Sequence, residues 1–179
     1  MVLGDELHYG DFSESPGSLA RATLQLTGRM ARHAALEPGV HVLDIGCGIG
    51  TPAIYLAKNL GCRVTGISTS RVGVEIATQR APEHGVDYRV RFLVADGMDT
   101  RLPDASFDRA WVMESSHLMD DKARLLAECG RVLRVGGRLV LCDVILYHRL
   151  GIHEVVQKAR EFDLLRRVFG RAKMATLDE

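Results

Sequence analysis

No apolar run in this sequence is long enough to cross a membrane. Its opening, MVLGDELHYG, is not basic and has no apolar core, so no secretory signal is expected. Charge of one sign is missing too. The 23 basic residues balance 23 acidic ones, leaving no global field to recruit nucleic acid or an anionic membrane. Cys47, Cys62, Cys129 and Cys142 form no C-x-x-C pair and have no histidine at zinc-ligand spacing, so no metal site is expected. They read as reduced thiols of a cytoplasmic protein, three packed as small hydrophobes and Cys47 as a turn residue. Internal repeats and low-complexity segments are absent. What remains is a chain of 179 residues, the size of one domain with a proper core.

Ser15-Pro16-Gly17 marks a turn, and a helical pattern of Leu19, Ala22, Leu26 and Met30 runs over residues 18–33. A short apolar strand at 42–45 breaks into glycines at 46, 48 and 50. Thr51 is placed to cap the next helix, with Pro52 at its first position and Gly61 at its end. A second strand is expected at 63–67 and a helix from the cap Ser70 to about residue 84, followed by strands at 90–95 and 107–113. A helix over 121–133 places Leu126, Cys129 and Leu133 on one face, and Gly136-Gly137 turns the chain into a fifth strand at 138–143. Last, Ile152, Val155, Val156, Ala159, Phe162, Leu165 and Phe169 mark the apolar face of an amphipathic helix. Strands alternating with helices in this rhythm form βαβ units, so the expected fold is α/β with a parallel sheet.

The strand, glycine turn and helix start at 41–52 bring backbone N–H groups and the positive end of a helix dipole to one point, which suits a negative group on a ligand. Glycines there would let a ligand approach the backbone. The dinucleotide fingerprint G-x-G-x-x-G fits poorly, because the third glycine comes one residue early and Thr51 takes its place. Ligands of open α/β sheets bind beyond the carboxyl ends of the strands. After the second strand the acid that would hold ribose hydroxyls is replaced by Ser68, which counts against NAD, while nearby Arg71 would suit the 2′-phosphate of NADP. Asp96-Gly97-Met98, after the third strand, is locally well suited to an Asx turn. Beyond the fourth strand lies Glu114-Ser115-Ser116-His117, and beyond the fifth lies Asp143. Titratable groups ending neighbouring strands at the mouth of a cleft are candidates for catalysis.

The pattern D-x-G-x-G-x-G, with Asp44 closing the strand, resembles motif I of the class I S-adenosylmethionine-dependent methyltransferases. Together with LHYGDF, DIGCGIG, VTGISTSR, WVMESSHLMDD, GRVLRVGGRLVL and CDV, the chain resembles their small-molecule branch, which includes the rebeccamycin sugar 4′-O-methyltransferase and, more broadly, the tocopherol and sterol methyltransferases. The resemblance runs from about residue 7 to about residue 150. It implies a Rossmann-like sheet of order 3-2-1-4-5, with the family's strands six and seven absent, and S-adenosylmethionine as cofactor. By resemblance, Gly46, Gly48 and Gly50, with Asp44 and Cys47, would cradle the methionine part. Asp96, Gly97 and Met98 would hold adenine, Ser68 and Thr69 would lie near the ribose, and Tyr9 would close over the cofactor. His117 and Asp143 match the family's catalytic pair, and Glu114 matches a glutamate at the edge of the cofactor site.

The expected reaction is methylation of a small organic acceptor, a hydroxyl of a secondary metabolite such as an antibiotic, with His117 as general base. The alternatives are an NAD(P)-dependent oxidoreductase, or a cofactor-binding fragment that acts by association. Expected organisation is an N-terminal lid segment and helix at 1–36, the cofactor-binding core at 37–146, and a partial substrate cap or interaction helix at 147–179. An uncovered fifth strand would favour a homodimer through that side.

Overall fold

The computed structural model describes residues 9–14, 17–145, 151–157, 159–160, 163 and 176. Five parallel strands, β1 (His41–Ile45), β2 (Arg63–Ser68), β3 (Val90–Val94), β4 (Phe107–Met113) and β5 (Leu133–Cys142), form one sheet of order β3-β2-β1-β4-β5. This is the expected topology, and it sends the carboxyl ends of all five strands to the same edge.

Helices α1 (Leu19–His33), α2 (Thr51–Leu60), α3 (Arg71–Glu83) and α4 (Lys122–Val132) pack around it. Ser18 caps α1, accepting the Arg21 N–H, and the buried stripe Ala22, Leu26 and Met30 follows at helical spacing. The carboxyl end of α1 is held by arginines of the sheet. Arg109 donates to Ala34 O, and Arg138 donates to His33 O at 2.7 Å, which complements the negative end of the helix dipole. One core layer gathers Leu26, Met30, Leu56 and Trp111 on the α1 and α2 side, and a second gathers Leu43, Ile67, Phe107 and Leu125 on the α4 side.

Two local expectations are corrected. Thr51 does not cap α2: Gly50 occupies the cap in the left-handed conformation (φ 83°) without a side-chain bond, and Thr51 is already helical. Its hydroxyl instead accepts from Arg80 at 2.8 Å, tying the glycine loop to α3. The buried face of α4 is Leu125, Cys129 and Val132, while Leu126 is half exposed and Leu133 is the first residue of β5. The stripe lies one position away from the one expected because the helix stops at Val132. Between Phe107 and Arg109 the β4 to β5 register shifts, so residues 134–137 loop out before close pairing resumes at Arg138.

A short helix α5 (Ile152–Gln157) presents Ile152 and Val156 to solvent. The rest of the expected amphipathic face, Phe162, Leu165 and Phe169, lies outside the described residues, as does the side chain of Val155. All four cysteines are free thiols, with Cys47, Cys62 and Cys129 buried. No helix among the described residues is long and apolar enough to cross a membrane.

Candidate active site

A cavity of about 620 Å³ opens at the carboxyl ends of the strands. Its walls include Gly46, Cys47 and Gly48 after β1, Ser68 and Thr69 at the end of β2, Asp96, Gly97 and Met98 after β3, and Glu114 and His117 after β4. Tyr9 closes one side. Asp44 is buried within β1, Gly50 lies behind the loop, and Asp143 stands behind His117, so these three do not line the cavity. Arg71 does not line it either.

Gly46 and Gly48 line the cavity, and packing also requires glycine at 46 and 50. A Cβ on Gly46, at φ +85°, would lie 2.3 Å from the Ser115 Cβ, and one on Gly50 would lie 2.8 Å from Ala77 Cβ. The N–H groups of Gly46 and Cys47 both donate to Ile67 O, and that of Gly50 donates to Cys47 O. The loop is therefore cross-tied to β2 and to the turn after β4, and α2 starts where it does for that reason. After β3, Asp96 Oδ1 accepts the Met98 N–H at 2.8 Å, the Asx turn open to it on local grounds.

Four consecutive residues after β4 each hold contacts to other parts of the chain. Glu114, strained at φ +49°, extends the sheet by donating its N–H to Cys142 O, and its Oε2 accepts the Tyr9 N–H at 2.8 Å. Ser115 Oγ donates to Ile45 O at 2.8 Å. Ser116 Oγ donates to Asp143 Oδ2, and His117 Nδ1 meets Asp143 Oδ1 at 2.6 Å. A single 3₁₀ turn, Ser116–Leu118, gives these side chains their divergent directions. The Tyr9 segment is anchored again where the Asp11 N–H reaches Ala22 O and Asp11 pairs with Arg29.

His117 and Asp143 are both buried, with side chains 6% and 4% exposed. Burial opposes ionisation of Asp143, but hydrogen bonds from His117 and Ser116 prevail and hold its carboxyl below the ordinary range. An ionised Asp143 has no proton to give, so Nδ1 of His117 is the donor in this contact. Burial, with Glu114 and Asp143 nearby, pushes the Tyr9 phenol up. Among the described residues the wall contains the carboxylates Asp96 and Glu114 and no lysine or arginine.

Sequence reasoning missed the apolar walls, including Met113, Met119, Val72 and Ile76. A signal for two of them was present. Helix α3 buries Val74 and Ala77 on one face yet also carries Val72 and Ile76, 64% and 38% exposed, as a second apolar stripe four residues apart.

Residues 43–141 match the family described as the methyltransferase domain. This chain belongs to that family. It is 43% identical over 161 residues to the 27-O-demethylrifamycin SV methyltransferase of Amycolatopsis mediterranei, covering 89% of this chain and 59% of that protein. It is 38% identical over 145 residues to the 2-methyl-6-phytyl-1,4-hydroquinone methyltransferase of Synechocystis, covering 78% of this chain and 45% of that protein. The chain thus spans about half the length of the curated relatives it matches. Among solved structures, the [4+2]-cyclase SpnF superposes with a TM-score of 0.76 at 36% identity, over 82% of this chain and 54% of that one. Geranyl diphosphate methyltransferase in complex with SAM superposes with a TM-score of 0.78 at 24% identity, over 96% and 73%, a likeness of fold alone. The sheet is the Rossmann-like class I methyltransferase fold.

Proposed function

We propose that this family member binds S-adenosylmethionine in the 620 Å³ cavity and supports transfer of its methyl group to a hydroxyl of a small organic acceptor. The observation that carries this reading is the charge of the wall. S-adenosylmethionine brings a cationic sulfonium, whereas NAD(P) brings an anionic pyrophosphate. Carboxylates at Asp96 and Glu114, with no lysine or arginine among the described wall residues, favour the cation. The oxidoreductase alternative loses further support because Ser68 ends β2 and Arg71 stands off the cavity.

The residues fit the cofactor in kind. The start of α2, with Thr51 and Pro52 on the wall, suits its carboxylate. The second oxygen of Asp96 suits the adenine amino group, Ser68 and Thr69 suit the ribose, Gly46 and Gly48 the methionine part, and Tyr9 would cover it. When bound, the cofactor supplies a methyl group on a sulfonium, already a good electrophile. His117 Nε2 takes the proton of the acceptor hydroxyl as its oxygen attacks, and Asp143 steadies the imidazolium that results. Met113, Leu118 and Met119 make part of the wall apolar, which would help to keep water from the reacting groups.

The similarity to a [4+2]-cyclase means that this fold does not by itself fix the reaction. A cycloaddition removes no proton, so the His117–Asp143 pair favours transfer to a hydroxyl. The rifamycin relative supports a secondary-metabolite acceptor of the kind found in antibiotics. In this reading residues 1–36 form the lid segment and helix, 37–146 the core, and 147–179 part of a substrate cap. Four free thiols support a cytoplasmic setting, and β5, at the edge of the five described strands, supports pairing with a second copy.

The first test is calorimetric titration of the chain with S-adenosylhomocysteine, with NADH as control. Binding of the first alone is expected. Binding of NADH alone would overturn the reading, and binding of S-adenosylhomocysteine without turnover on any hydroxylated acceptor would reduce the chain to a cofactor-binding module.

A further inference from the structure

Asp143 is the most heavily hydrogen-bonded carboxylate at this end of the sheet. Oδ1 receives His117 Nδ1 at 2.6 Å and the Val144 N–H at 2.7 Å, while Oδ2 receives the His117 N–H at 2.9 Å and the Ser116 hydroxyl. Two of these donors are backbone and one is the base itself. The Ser116 hydroxyl is the remaining side-chain donor. Ser116 is 3% exposed and does not line the cavity.

We propose that Ser116 is a positioning residue: its hydroxyl fixes the orientation of Asp143 and, through it, holds the His117 ring with Nδ1 toward the carboxylate. This rests on the assignment of His117 as the base. A hydroxyl beside an ionised carboxylate must donate to it, because the carboxylate offers only lone pairs. That charge-assisted bond competes with His117 for the same negative charge. Without it, Oδ2 keeps only the His117 N–H, which holds the carboxylate less firmly. Loss of the bond to Oδ2 also frees the carboxylate to turn about its Cβ–Cγ axis, which loosens the choice of tautomer.

The neighbouring serine shows the contrast. Ser115 gives its hydroxyl to a main-chain carbonyl, Ile45 O, and so fastens β1 to the turn. Ser116, one residue on, gives its hydroxyl to the partner of the base. Consecutive residues of one type thus serve the scaffold and the proton.

The test needs no acceptor. In the full chain with 15N-labelled histidine, two-bond 1H–15N spectra across the pH range report the protonation and tautomer of His117, assigned by its loss in His117→Ala. The unaltered chain is expected to show the Nδ1–H tautomer. In Ser116→Ala the His117 15N pattern should shift toward a mixture of tautomers. Ser116→Thr, which keeps the hydroxyl, should restore the original pattern, and Ser116→Cys, a weaker donor of similar size, should fall between. Affinity for S-adenosylhomocysteine should stay within about twofold throughout, because Ser116 is off the wall. Superimposable patterns for Ser116→Ala or, if that chain does not fold, for Ser116→Cys would overturn the proposal, as would an unrestored shift in Ser116→Thr. Failure to bind S-adenosylhomocysteine would instead count against the functional reading, since the titration is independent of it.

Discussion

His41 and His117 stand at opposite ends of the same sheet and show what a histidine's neighbours decide. His41 opens β1. Its N–H donates to Asp108 Oδ2, its Nε2 lies 3.1 Å from the Thr65 hydroxyl, and its ring sits 4.5 Å from that of Phe107. Thr65 also accepts from Arg91. Burial, then Arg63, Arg134 and Arg91, lower the His41 pKa. A ring so placed stays neutral and braces the sheet. His117 meets a carboxylate instead, and a carboxylate stabilises the imidazolium that forms when a base does its work. The contrast extends to the edges themselves. Arginines of the amino edge are spent on α1 carbonyls and Asp108, whereas carboxylates of the other edge surround a cavity. A net charge of zero conceals this polarity.

The sharpest way to break the comparison is to exchange the consequences of losing each ring. His117→Ala should lower the rate of S-adenosylhomocysteine formation with a hydroxylated acceptor by about 10²–10⁴-fold, and should also cost stability because buried Asp143 loses a partner. His41→Ala should instead retain turnover, while costing about 2 kcal/mol in urea unfolding through the lost Thr65 contact and lost ring packing. Equal loss of turnover in both would erase the distinction between the ends.

Stability is not confined to the amino edge, and Gly46 measures how much the functional edge carries. Gly46→Ala would force a side chain into φ +85° and against Ser115, at a cost of about 2–4 kcal/mol together with loss of S-adenosylhomocysteine binding. Normal binding by a stable Gly46→Ala chain would mean that the turn after β4 can yield.

A smaller effect, in pH, separates the histidine from the carboxylates. The folded pKa of His41 lies below its ordinary 6.5, so the unfolded chain binds more protons just below that value. Its contribution to stability is complete above pH 6.5 and declines as pH falls, until the folded ring also protonates. Asp143 and Asp108 are lowered carboxylates, and their contributions persist above the ordinary 3.8 and are lost only as pH falls further, toward their folded values. Urea titrations between pH 7 and pH 5 should therefore show a decline that His41→Ala reduces. An unchanged slope in that variant would move the effect elsewhere.

Much of the sheet was legible because its signals are local: alternation of apolar runs with glycine and proline, and the cap Ser70, which accepts the Gly73 N–H. The residues at the strand ends were legible too, since topology alone brings Asp96, Glu114 and His117 to one edge. The reasons for the glycines were not. Gly46 is required by Ser115, some seventy positions away, and no local pattern encodes that contact. Tyr9 reaching Glu114 across 105 positions was equally hidden, because it depends on the left-handed turn at Glu114. The α4 stripe was placed one position off because helix and strand meet without a breaker between Val132 and Leu133.

The least of the expected effects compares two hydroxyls on the cavity wall, Ser70 and Thr51. Both suit a helix cap by residue type, but only Ser70 has extended backbone and accepts the N–H of Gly73, at 3.1 Å. Ser70→Ala should cost about 1 kcal/mol, the usual worth of such a cap. Thr51 follows a left-handed glycine that has already turned the chain, so its hydroxyl serves Arg80, which keeps a second bond to Ile49 O at 3.1 Å. Thr51→Ala should therefore cost no more than about 0.5 kcal/mol, within the range of a partly redundant hydrogen bond. A cost at Thr51 equal to that at Ser70 would show that the Arg80 tie, rather than the glycine conformation, sets the start of α2.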